Sequence, residues 1–397
     1  MKIYLFTFSY PFGDGEQFVH NEVNFFAAQG VRLTIIPFKT TSKIRKLPKQ
    51  VCLDLSMSEA LSVSSESKGY PLFFSLKSIM KSFIQNPLNG ISALRDNIGF
   101  AHHGRIIRAW AKRNLKGDEV LYTYWFERIT FGLATYLDSR NAQVLITRAH
   151  RYDIYEDQRK HSYIPFRAFT LRKLSAVFCV SSQGQRYIVE KYGFEKKVFK
   201  SFLGTTDHGV SKGVNDGVLR LVSCSRIVPL KRVHLIAESI KQFSHDHPDL
   251  TLEWYHFGDG KLRKNIESMV DRVPKNLKVY LKGIVSNDRL LNFYRDHYVS
   301  LFVNLSSSEG LPVSIMEAMS FGIPVVATEV GGVAEIVDSE SGILLSVNPA
   351  IEEIKRSFTF ILAEKKLRAG ARSKWNKEFV DTRNYASFYQ KVKEISQ

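Results

Sequence analysis

The stretch that decides the fold class is residues 306–328, which read SSSEGLPVSIMEAMSFGIPVVAT. We predict a loop at its start, a helix over Pro312–Phe321 and a buried strand over Pro324–Ala327. Gly310 permits a close approach of the backbone, and Pro312 suits the first turn of a helix. The amide groups from Gly310 onward would therefore point at an anion bound at the helix N-terminus.

Two glutamates of this stretch, Glu309 and Glu317, lie eight residues apart. In the loop, Glu309 can accept hydrogen bonds from sugar hydroxyls, and inside the helix Glu317 can accept two from the cis-diol of a ribose. Taken singly, Glu309 is better explained as a partner of the helix dipole and Glu317 as a solvated helix residue. The complete string, with its fixed spacing, favours the ligand-binding interpretation.

Strand and helix patterns alternate through the rest of the chain. The alternation runs through residues 2–36, 120–150 and 176–191, and it resumes over 219–337, after a stretch rich in Gly, Ser, Thr and Asp at 201–217. Such an order predicts an α/β fold with two consecutive doubly wound domains and parallel sheets. Ligands are expected at the carboxyl ends of the strands, in the cleft between the domains.

The composition, 44% hydrophobic and 24% charged over 397 residues, is that of a soluble globular protein and excludes disorder. No apolar run is long enough for a transmembrane helix, and the apolar start at Ile3–Phe6 is expected to be a buried strand. The three cysteines are too few and too far apart for a disulfide framework or a metal site, which favours a reducing cytoplasm. A dinucleotide fingerprint is incomplete, because Phe18 stands at its third glycine position.

Charge is divided unevenly along the chain. Residues 1–200 carry 30 Lys and Arg against 16 Asp and Glu, residues 201–397 carry 26 against 23, and residues 301–350 carry six acids and no base. A basic half attracts nucleic acid, an anionic membrane or a phosphorylated substrate. Within 66–116 aromatic and basic residues alternate, which suits an interfacial helix or a merely solvated basic face. The residues concerned are Tyr70, Phe73, Phe74, Lys77, Lys81, Phe83, Arg105, Arg108, Trp110, Lys112, Arg113 and Lys116.

The segment at 309–328 resembles the signature of family-4 retaining glycosyltransferases of the GT-B fold. The resemblance covers about residues 219–345 and includes SRIVPLKR at 225–232, GDG at 258–260, LKGIV at 281–285 and GGVAEIV at 331–337. It departs from the family at Ser225 and Arg232, where glycine is usual. Near the N-terminus, YPFGDGEQFVHNEV at 10–23 resembles the opening of polysaccharide-assembling members.

This resemblance implies roles for individual residues. Arg226 and Lys231 would clamp the donor diphosphate, which gains negative charge as the glycosidic bond breaks. With them, Glu309 and His150 complete the catalytic set, although His150 is also explained as a capped loop histidine. Glu309 is expected to position substrate rather than to act as a covalent nucleophile. The implied donor-binding residues are Gly15, Arg226, Lys231, Gly283, Ile284, Glu309, Gly310, Leu311, Pro312 and Glu317; Glu16, Asn21 and Glu22 are either ligand-binding or packing groups.

The implied architecture has an acceptor-binding domain at 1–205, a nucleotide-sugar-binding domain at 206–378 and a C-terminal helix at 379–397 that packs on the first domain. The implied function is retaining hexose transfer from a UDP- or GDP-sugar to a polyprenyl-linked glycan in bacterial surface-polysaccharide assembly, at the inner face of the plasma membrane. No cofactor and no metal are expected, because no Asp-x-Asp pair stands in a suitable loop.

Two other classes of protein remain open at this stage. A non-catalytic scaffold that binds sugar nucleotides would keep the clamp, but the intact glutamate pair argues against it. A basic nucleic-acid-binding protein would suit the charge, but the acidic stretch at 301–350 and the absence of a known binding motif argue against it. We therefore expect no nucleic-acid partner.

Overall fold

The computed structural model describes residues 1–13, 15–64, 90–137, 143–159 and 162–397. They form two compact units, one of residues 1–202 with 385–397 and one of residues 203–384. Each unit is built on its own parallel sheet, of seven strands in the first and six in the second. The predicted fold class, with two α/β units following one another, is confirmed.

The sheet of the first unit has the strand order β3-β2-β1-β4-β5-β6-β7. Strands β1 to β7 span Lys2–Thr7, Arg32–Pro37, Cys52–Leu53, Val120–Thr123, Leu145–Ala149, Ala176–Cys179 and Val198–Lys200. Helices α1 to α6 span Val19–Ala28, Ser56–Ser64, Gly90–Asn114, Arg128–Leu137, Arg167–Lys173 and Ser182–Tyr192. A last helix, α14 at Asp381–Ser396, adds Phe388 and Val392 to the core around β1.

Local sequence signals account for several helix and strand ends. The hydroxyl of Ser181 accepts a hydrogen bond from the amide of Gly184 at 3.0 Å and so caps the N-terminus of α6. Gly30 ends α1 with φ at +67°, a conformation that favours glycine. The strand at Leu145–Ala149 ends directly before His150, which places that residue at its carboxyl end.

A fully buried ion pair joins two elements of the first unit. Nε of Arg148, in β5, lies 3.0 Å from Oε2 of Glu22, in α1, and neither side chain is exposed. The hydroxyl of Tyr122 donates to Oε1 of Glu22 at 2.8 Å, and the Arg148 guanidinium lies 4.3 Å from the centre of the Phe388 ring. Glu22 is therefore a packing group of the first unit.

The second unit has the strand order β10-β9-β8-β11-β12-β13. Strands β8 to β13 span Leu219–Cys224, Leu252–Phe257, Leu277–Gly283, Leu301–Asn304, Val325–Thr328 and Gly342–Leu345. Helices α7 to α13 span Val233–Asp246, Arg263–Val270, Asn287–Asp296, Val313–Ser320, Val333–Ile336, Ile351–Ala363 and Lys366–Glu378. The order reverses between β8 and β11, and such a switch point is where open α/β sheets bind ligands.

Because Glu22 neutralises Arg148, removing its charge should destabilise the first unit strongly. We expect Glu22→Gln to lower the free energy of unfolding by about 3–5 kcal/mol, since it leaves a buried guanidinium without its counter-ion. Denaturant unfolding followed by tyrosine and tryptophan fluorescence measures the change. The matched control is Glu394→Gln, whose carboxylate pairs with Lys391 on the surface of the same unit and whose loss should leave the free energy of unfolding almost unchanged. Equal losses in the two variants would contradict this role for the buried pair.

Candidate functional site

Two loops meet at the switch point of the second sheet. One follows β8 at residues 225–232 and the other follows β11 at 305–312. They lie side by side because β8 and β11 are paired in parallel, with Leu221 opposite Leu301. A backbone hydrogen bond of 2.9 Å from Ser307 to the carbonyl of Leu230 joins them directly.

An ion pair links the two loops. Nζ of Lys231 lies 2.6 Å from Oε1 of Glu309. The same oxygen accepts hydrogen bonds from the hydroxyl of Ser306 at 2.6 Å and from the amide of Asn304 at 3.2 Å. Within the part of the chain that the structure describes, no hydrogen bond reaches the other carboxylate oxygen, Oε2. Glu309 is therefore held in one orientation with an acceptor atom to spare.

Arg226 is the second cation of the first loop. Its side chain is exposed, and it has no hydrogen-bond or ion-pair partner among the described residues. Since Lys231 is engaged with Glu309, Arg226 is the cation of this loop that is available to an incoming anion.

Glycines allow the neighbouring loops to approach this site closely. A Cβ atom on Gly258 would collide with the carbonyl oxygen of Ser225, and one on Gly331 would collide with that of Glu309. The Ser225 carbonyl also contacts Nε2 of His256 at 3.1 Å. Burial lowers the pKa of His256 to about 4, so the ring stays neutral and donates this hydrogen bond at physiological pH.

Helix α10 begins beside the ion pair, as the sequence predicts. Pro312 caps it in an extended conformation, and the helix runs over Val313–Ser320. Leu311 and Pro312 are buried, whereas Gly310 is half-buried. The first amides of the helix therefore adjoin the loop that carries Glu309.

Glu317 lies in α10, eight residues after Glu309 in the sequence. It is half-buried and not a freely solvated residue. Nδ2 of Asn287 donates to its Oε1 at 2.7 Å. Burial raises the pKa of Glu317 to about 7, and its charge also contributes to the raised pKa values of Cys224 and Tyr294. A carboxyl so placed takes up or releases a proton near neutrality.

The remaining predicted donor-binding residues of the second unit are Gly283, the last residue of β10, and Ile284, the next residue, at the same carboxyl edge of the sheet. Gly283 has φ at +67°, and its carbonyl accepts a hydrogen bond from Gly258 at 2.8 Å. Ile284 is exposed by 73%. The structure thus brings Lys231 and Glu309 into contact, with Gly310–Pro312 following directly in the same loop and Arg226, Gly283 and Ile284 at the carboxyl ends of neighbouring strands.

Two predicted site residues, Gly15 and His150, belong to the first unit. Gly15 is exposed, with open space around its Cα. His150 is enclosed by aromatic rings, that of Trp125 lying 4.4 Å away between centroids. Its ring nitrogens have no hydrogen-bond partner among the described residues, and its backbone amide donates to Oδ1 of Asp153 at 2.5 Å. That Gly15 and His150 contribute to donor binding together with the second unit stays a prediction.

Glu16 stabilises the loop that carries Gly15. Its carboxylate accepts hydrogen bonds from the amides of Ser9 and Tyr10 at 2.5 and 2.6 Å and from the indole of Trp125 at 2.5 Å. Of the two interpretations left open by the sequence, this geometry favours a packing role for Glu16.

Several residues of the site escape sequence reasoning. Asn304 and Ser306 orient Glu309 from five and three residues away, whereas His256 reaches the first loop through the pairing of β8 with β9, which a local pattern does not reveal. Arg232 bonds the loop after β11 although it departs from the family motif. The signal that could have found Asn304 and Ser306 is their position at the carboxyl end of β11, beside the glutamate.

The basic segment of the first unit needs one correction. Trp110 is only 2% exposed, and its indole donates to the hydroxyl of Ser56 at 2.8 Å, so it is a core residue and not an interfacial aromatic. Arg105, Lys112, Arg113 and Lys116 are exposed and Arg108 is half-buried. The other residues in the predicted mixture, Tyr70, Phe73, Phe74, Lys77, Lys81 and Phe83, lie outside the described residues.

Known proteins resemble the second unit in sequence and the whole chain in fold. Residues 206–377 match the sequence model of the family described as glycosyl transferases group 1. An uncharacterized glycosyltransferase of Methanocaldococcus jannaschii is 35% identical over 143 residues, which are 36% of this chain and 37% of that protein. The O-antigen biosynthesis glycosyltransferase WbnH of Escherichia coli is 25% identical over 169 residues, 43% of this chain and 46% of WbnH. The chain thus matches less than half the length of these relatives.

One solved structure shows the extent of the likeness in fold. A mutant of S. aureus TarM, in complex with fondaparinux, alpha-GlcNAc-glycerol and UDP, superposes with a TM-score of 0.70. The likeness covers 100% of this chain and 99% of TarM at 13% sequence identity. Residues 206–377 thus match the glycosyl transferases group 1 family in sequence, and the fold of the chain is GT-B.

Proposed function

We propose that this protein transfers a hexose from a nucleotide sugar, with retention of anomeric configuration, to a lipid-diphosphate-linked oligosaccharide in bacterial surface-polysaccharide assembly. The observation that carries the proposal is the constellation of Arg226, Lys231 and Glu309 at the switch point of the second sheet. The name of the relative WbnH supports the pathway class, and the UDP bound to TarM supports a nucleotide-sugar donor.

The donor diphosphate binds between the two loops of the switch point. Arg226 supplies an exposed planar fork for phosphate oxygens, and Lys231 supplies a compact charge. The N-terminus of α10 adds backbone amides to the same anion. Because the leaving nucleoside diphosphate gains negative charge in the transition state, cations fixed here lower the barrier more than they strengthen ground-state binding.

Glu309 positions the donor sugar in this proposal. Its Oε1 is neutralised by Lys231 and hydrogen-bonded twice, so the carboxylate is a weak nucleophile, whereas Oε2 is available to a sugar hydroxyl. The acceptor then attacks on the face that the diphosphate leaves, and a departing phosphate oxygen takes the acceptor's proton. His150, in the first unit, is proposed as a further contact to the donor sugar.

Glu317 receives the ribose diol of the donor. Two hydroxyl donors need two acceptor oxygens, so the ionised carboxylate is the binding form. The raised pKa then makes donor binding depend on pH near neutrality.

Affinity for the nucleoside diphosphate should therefore fall as the pH is lowered from 8 to 6. With a pKa near 7 the ionised fraction of Glu317 falls from about nine-tenths to one-tenth, which weakens binding roughly five- to tenfold. Isothermal titration calorimetry at the two pH values measures this change in affinity for the nucleoside diphosphate. Glu317→Gln should bind more weakly at pH 8 and lose this part of the pH dependence. The control Glu352→Gln, at an exposed carboxylate of α12, should behave as wild type. A pH dependence that survives in Glu317→Gln would disprove this role.

Removal of either clamp cation should slow the transfer. We expect Arg226→Ala and Lys231→Ala each to lower turnover at saturating donor at least tenfold, which corresponds to about 1.4 kcal/mol of transition-state stabilisation. The assay first screens UDP-, GDP-, ADP- and dTDP-sugars for release of the nucleoside diphosphate, and then compares the variants with the best donor. Arg356→Ala, which removes an exposed arginine of α12 in the same unit, is the matched control. Turnover within twofold of wild type in both clamp variants would refute the proposed site.

The reaction is proposed to need no divalent metal. Among the residues that the structure describes, no group of three or more His, Cys, Asp or Glu side chains is placed to hold a metal ion. In this proposal the positive charges of Arg226 and Lys231, and not a metal ion, stabilise the negative charge of the leaving diphosphate. We expect activity to persist in EDTA; its complete loss on chelation, with recovery on adding Mg²⁺ or Mn²⁺, would overturn this part of the proposal.

The acceptor is proposed to be presented at an anionic membrane surface, to which the first unit binds. No helix within the described ranges is long and apolar enough to cross a membrane. Four exposed basic residues lie on or just after α3 and are called the α3 stripe below. Arg105, Lys112 and Arg113 lie on the helix, and Lys116 follows its end. The opposite side of the helix packs Ile107, Trp110 and Ala111 into the core, so contact with lipid would be electrostatic.

Binding to vesicles should consequently depend on charge and salt. Each basic residue near an anionic leaflet contributes about 1 kcal/mol, within a Debye length. We expect the protein to co-sediment with anionic vesicles at low salt, to dissociate at high salt and to ignore neutral vesicles. Reversal to Glu at Arg105, Lys112, Arg113 and Lys116 should weaken co-sedimentation without changing nucleotide affinity.

The matched control reverses four exposed bases of the second unit, Lys264, Arg272, Lys275 and Lys278. This control changes the net charge by the same amount at a different place. Equal weakening by the two quadruple variants would show that net charge, and not the α3 stripe, governs binding. Equal sedimentation with neutral and anionic vesicles would reject the electrostatic account.

A further inference from the structure

Arg232 occupies a backbone conformation that an arginine rarely adopts. It ends the loop after β8 and precedes α7, with φ at 44° and ψ at 41°. Left-handed conformations are strained for residues that carry a Cβ atom and are favoured by glycine. Glycine is also the residue that the family motif has at this position. An arginine kept here at a conformational cost implies that its side chain is used.

The guanidinium of Arg232 is bonded to the neighbouring loop. Its Nε donates to the carbonyl of Leu305 at 2.5 Å, and a terminal nitrogen donates to the carbonyl of Ser306 at 2.9 Å. The other terminal nitrogen donates to the side chain of Asn348 at 3.2 Å. Leu305 and Ser306 are the first two residues after β11, and both are buried. The fixed planar fork of arginine suits two successive carbonyls, whereas lysine presents its donors from a single nitrogen on a flexible stem.

These contacts bear directly on Lys231. The residue before it, Leu230, accepts the backbone hydrogen bond from Ser307, and the residue after it, Arg232, holds the carbonyls of Leu305 and Ser306. Lys231 is thus fixed on both sides to the loop that carries Glu309. The hydroxyl of Ser306, whose carbonyl Arg232 binds, is itself a donor to Glu309.

We infer that Arg232 is a positioning residue that holds Lys231 against Glu309. The inference rests on the proposed function for its catalytic consequence, because it makes the donor clamp depend on a residue that does not touch the donor. A purely local structural role would not require arginine, since glycine fits the backbone better.

The first test measures the contact in the full chain without nucleotide. Lys231 is labelled with an amine-selective reagent, and its rate is followed by mass spectrometry, with the exposed Lys264 as internal reference. Arg232→Gly removes the guanidinium and relieves the strained backbone, and should raise the labelling rate of Lys231 at least threefold. Arg232→Lys should give an intermediate rate and serves as the second variant if the glycine form does not fold.

The matched control is Arg368→Ala. Arg368 donates to the carbonyl of Val299 at 2.7 Å, before β11 begins, so it binds the same strand at its opposite end. This variant should leave the labelling rate of Lys231 unchanged. Unchanged labelling of Lys231 in Arg232→Gly and Arg232→Lys, or an equal rise in Arg368→Ala, would overturn the inference.

The second test is a double-mutant cycle on nucleoside diphosphate binding, measured with UDP and GDP by calorimetry. Arg232→Gly should weaken binding at least fivefold in the wild-type background and less than twofold in the Lys231→Ala background. The same factor in both backgrounds would show that Arg232 does not act through Lys231. If the wild type binds none of UDP, GDP, ADP and dTDP, the proposed function fails, whereas the labelling of Lys231 still decides the role of Arg232.

Discussion

The parallel pairing of β8 with β11 is the constraint on which the site depends. These strands are separated along the chain by β9 and β10, yet they are neighbours in the sheet. Their carboxyl ends therefore bring together two loops that no local pattern connects. The Lys231–Glu309 pair, the Ser307–Leu230 hydrogen bond and the contacts of Arg232 are all consequences of this one adjacency.

Two ion pairs of this protein differ in burial, and the difference distinguishes a structural pair from a pair that can bind a ligand. Glu22 and Arg148 are both fully buried, and further hydrogen bonds occupy the carboxylate, so the pair fixes α1 against β5. Lys231 and Glu309 keep partial exposure and one unoccupied carboxylate oxygen within the described residues. The first arrangement is closed to solvent, whereas the second is accessible to an anion and a sugar hydroxyl.

The sequence predicts most of what local chemistry determines. The α/β alternation and the loop-to-helix turn at Glu309–Val313 follow from residue patterns within a few positions, and the structure agrees with them. The features that the sequence does not predict depend on contacts between residues that are far apart along the chain. Trp110 lies in a basic, aromatic segment, but its pairing with Ser56 makes it a core residue. Glu317 has a raised pKa only because the fold encloses it, and Arg232 gains its partners only when β8 and β11 meet.

The central claim, that the loops after β8 and β11 bind the donor, is tested most directly by hydrogen–deuterium exchange of the whole chain. Exchange is followed with and without saturating UDP or GDP. Binding at the switch point predicts slower exchange over residues 225–232 and 305–313 with at least one of the two nucleotides, and unchanged exchange over 105–116. Unchanged exchange in both loops with either nucleotide, or slowing confined to 105–116, would contradict it.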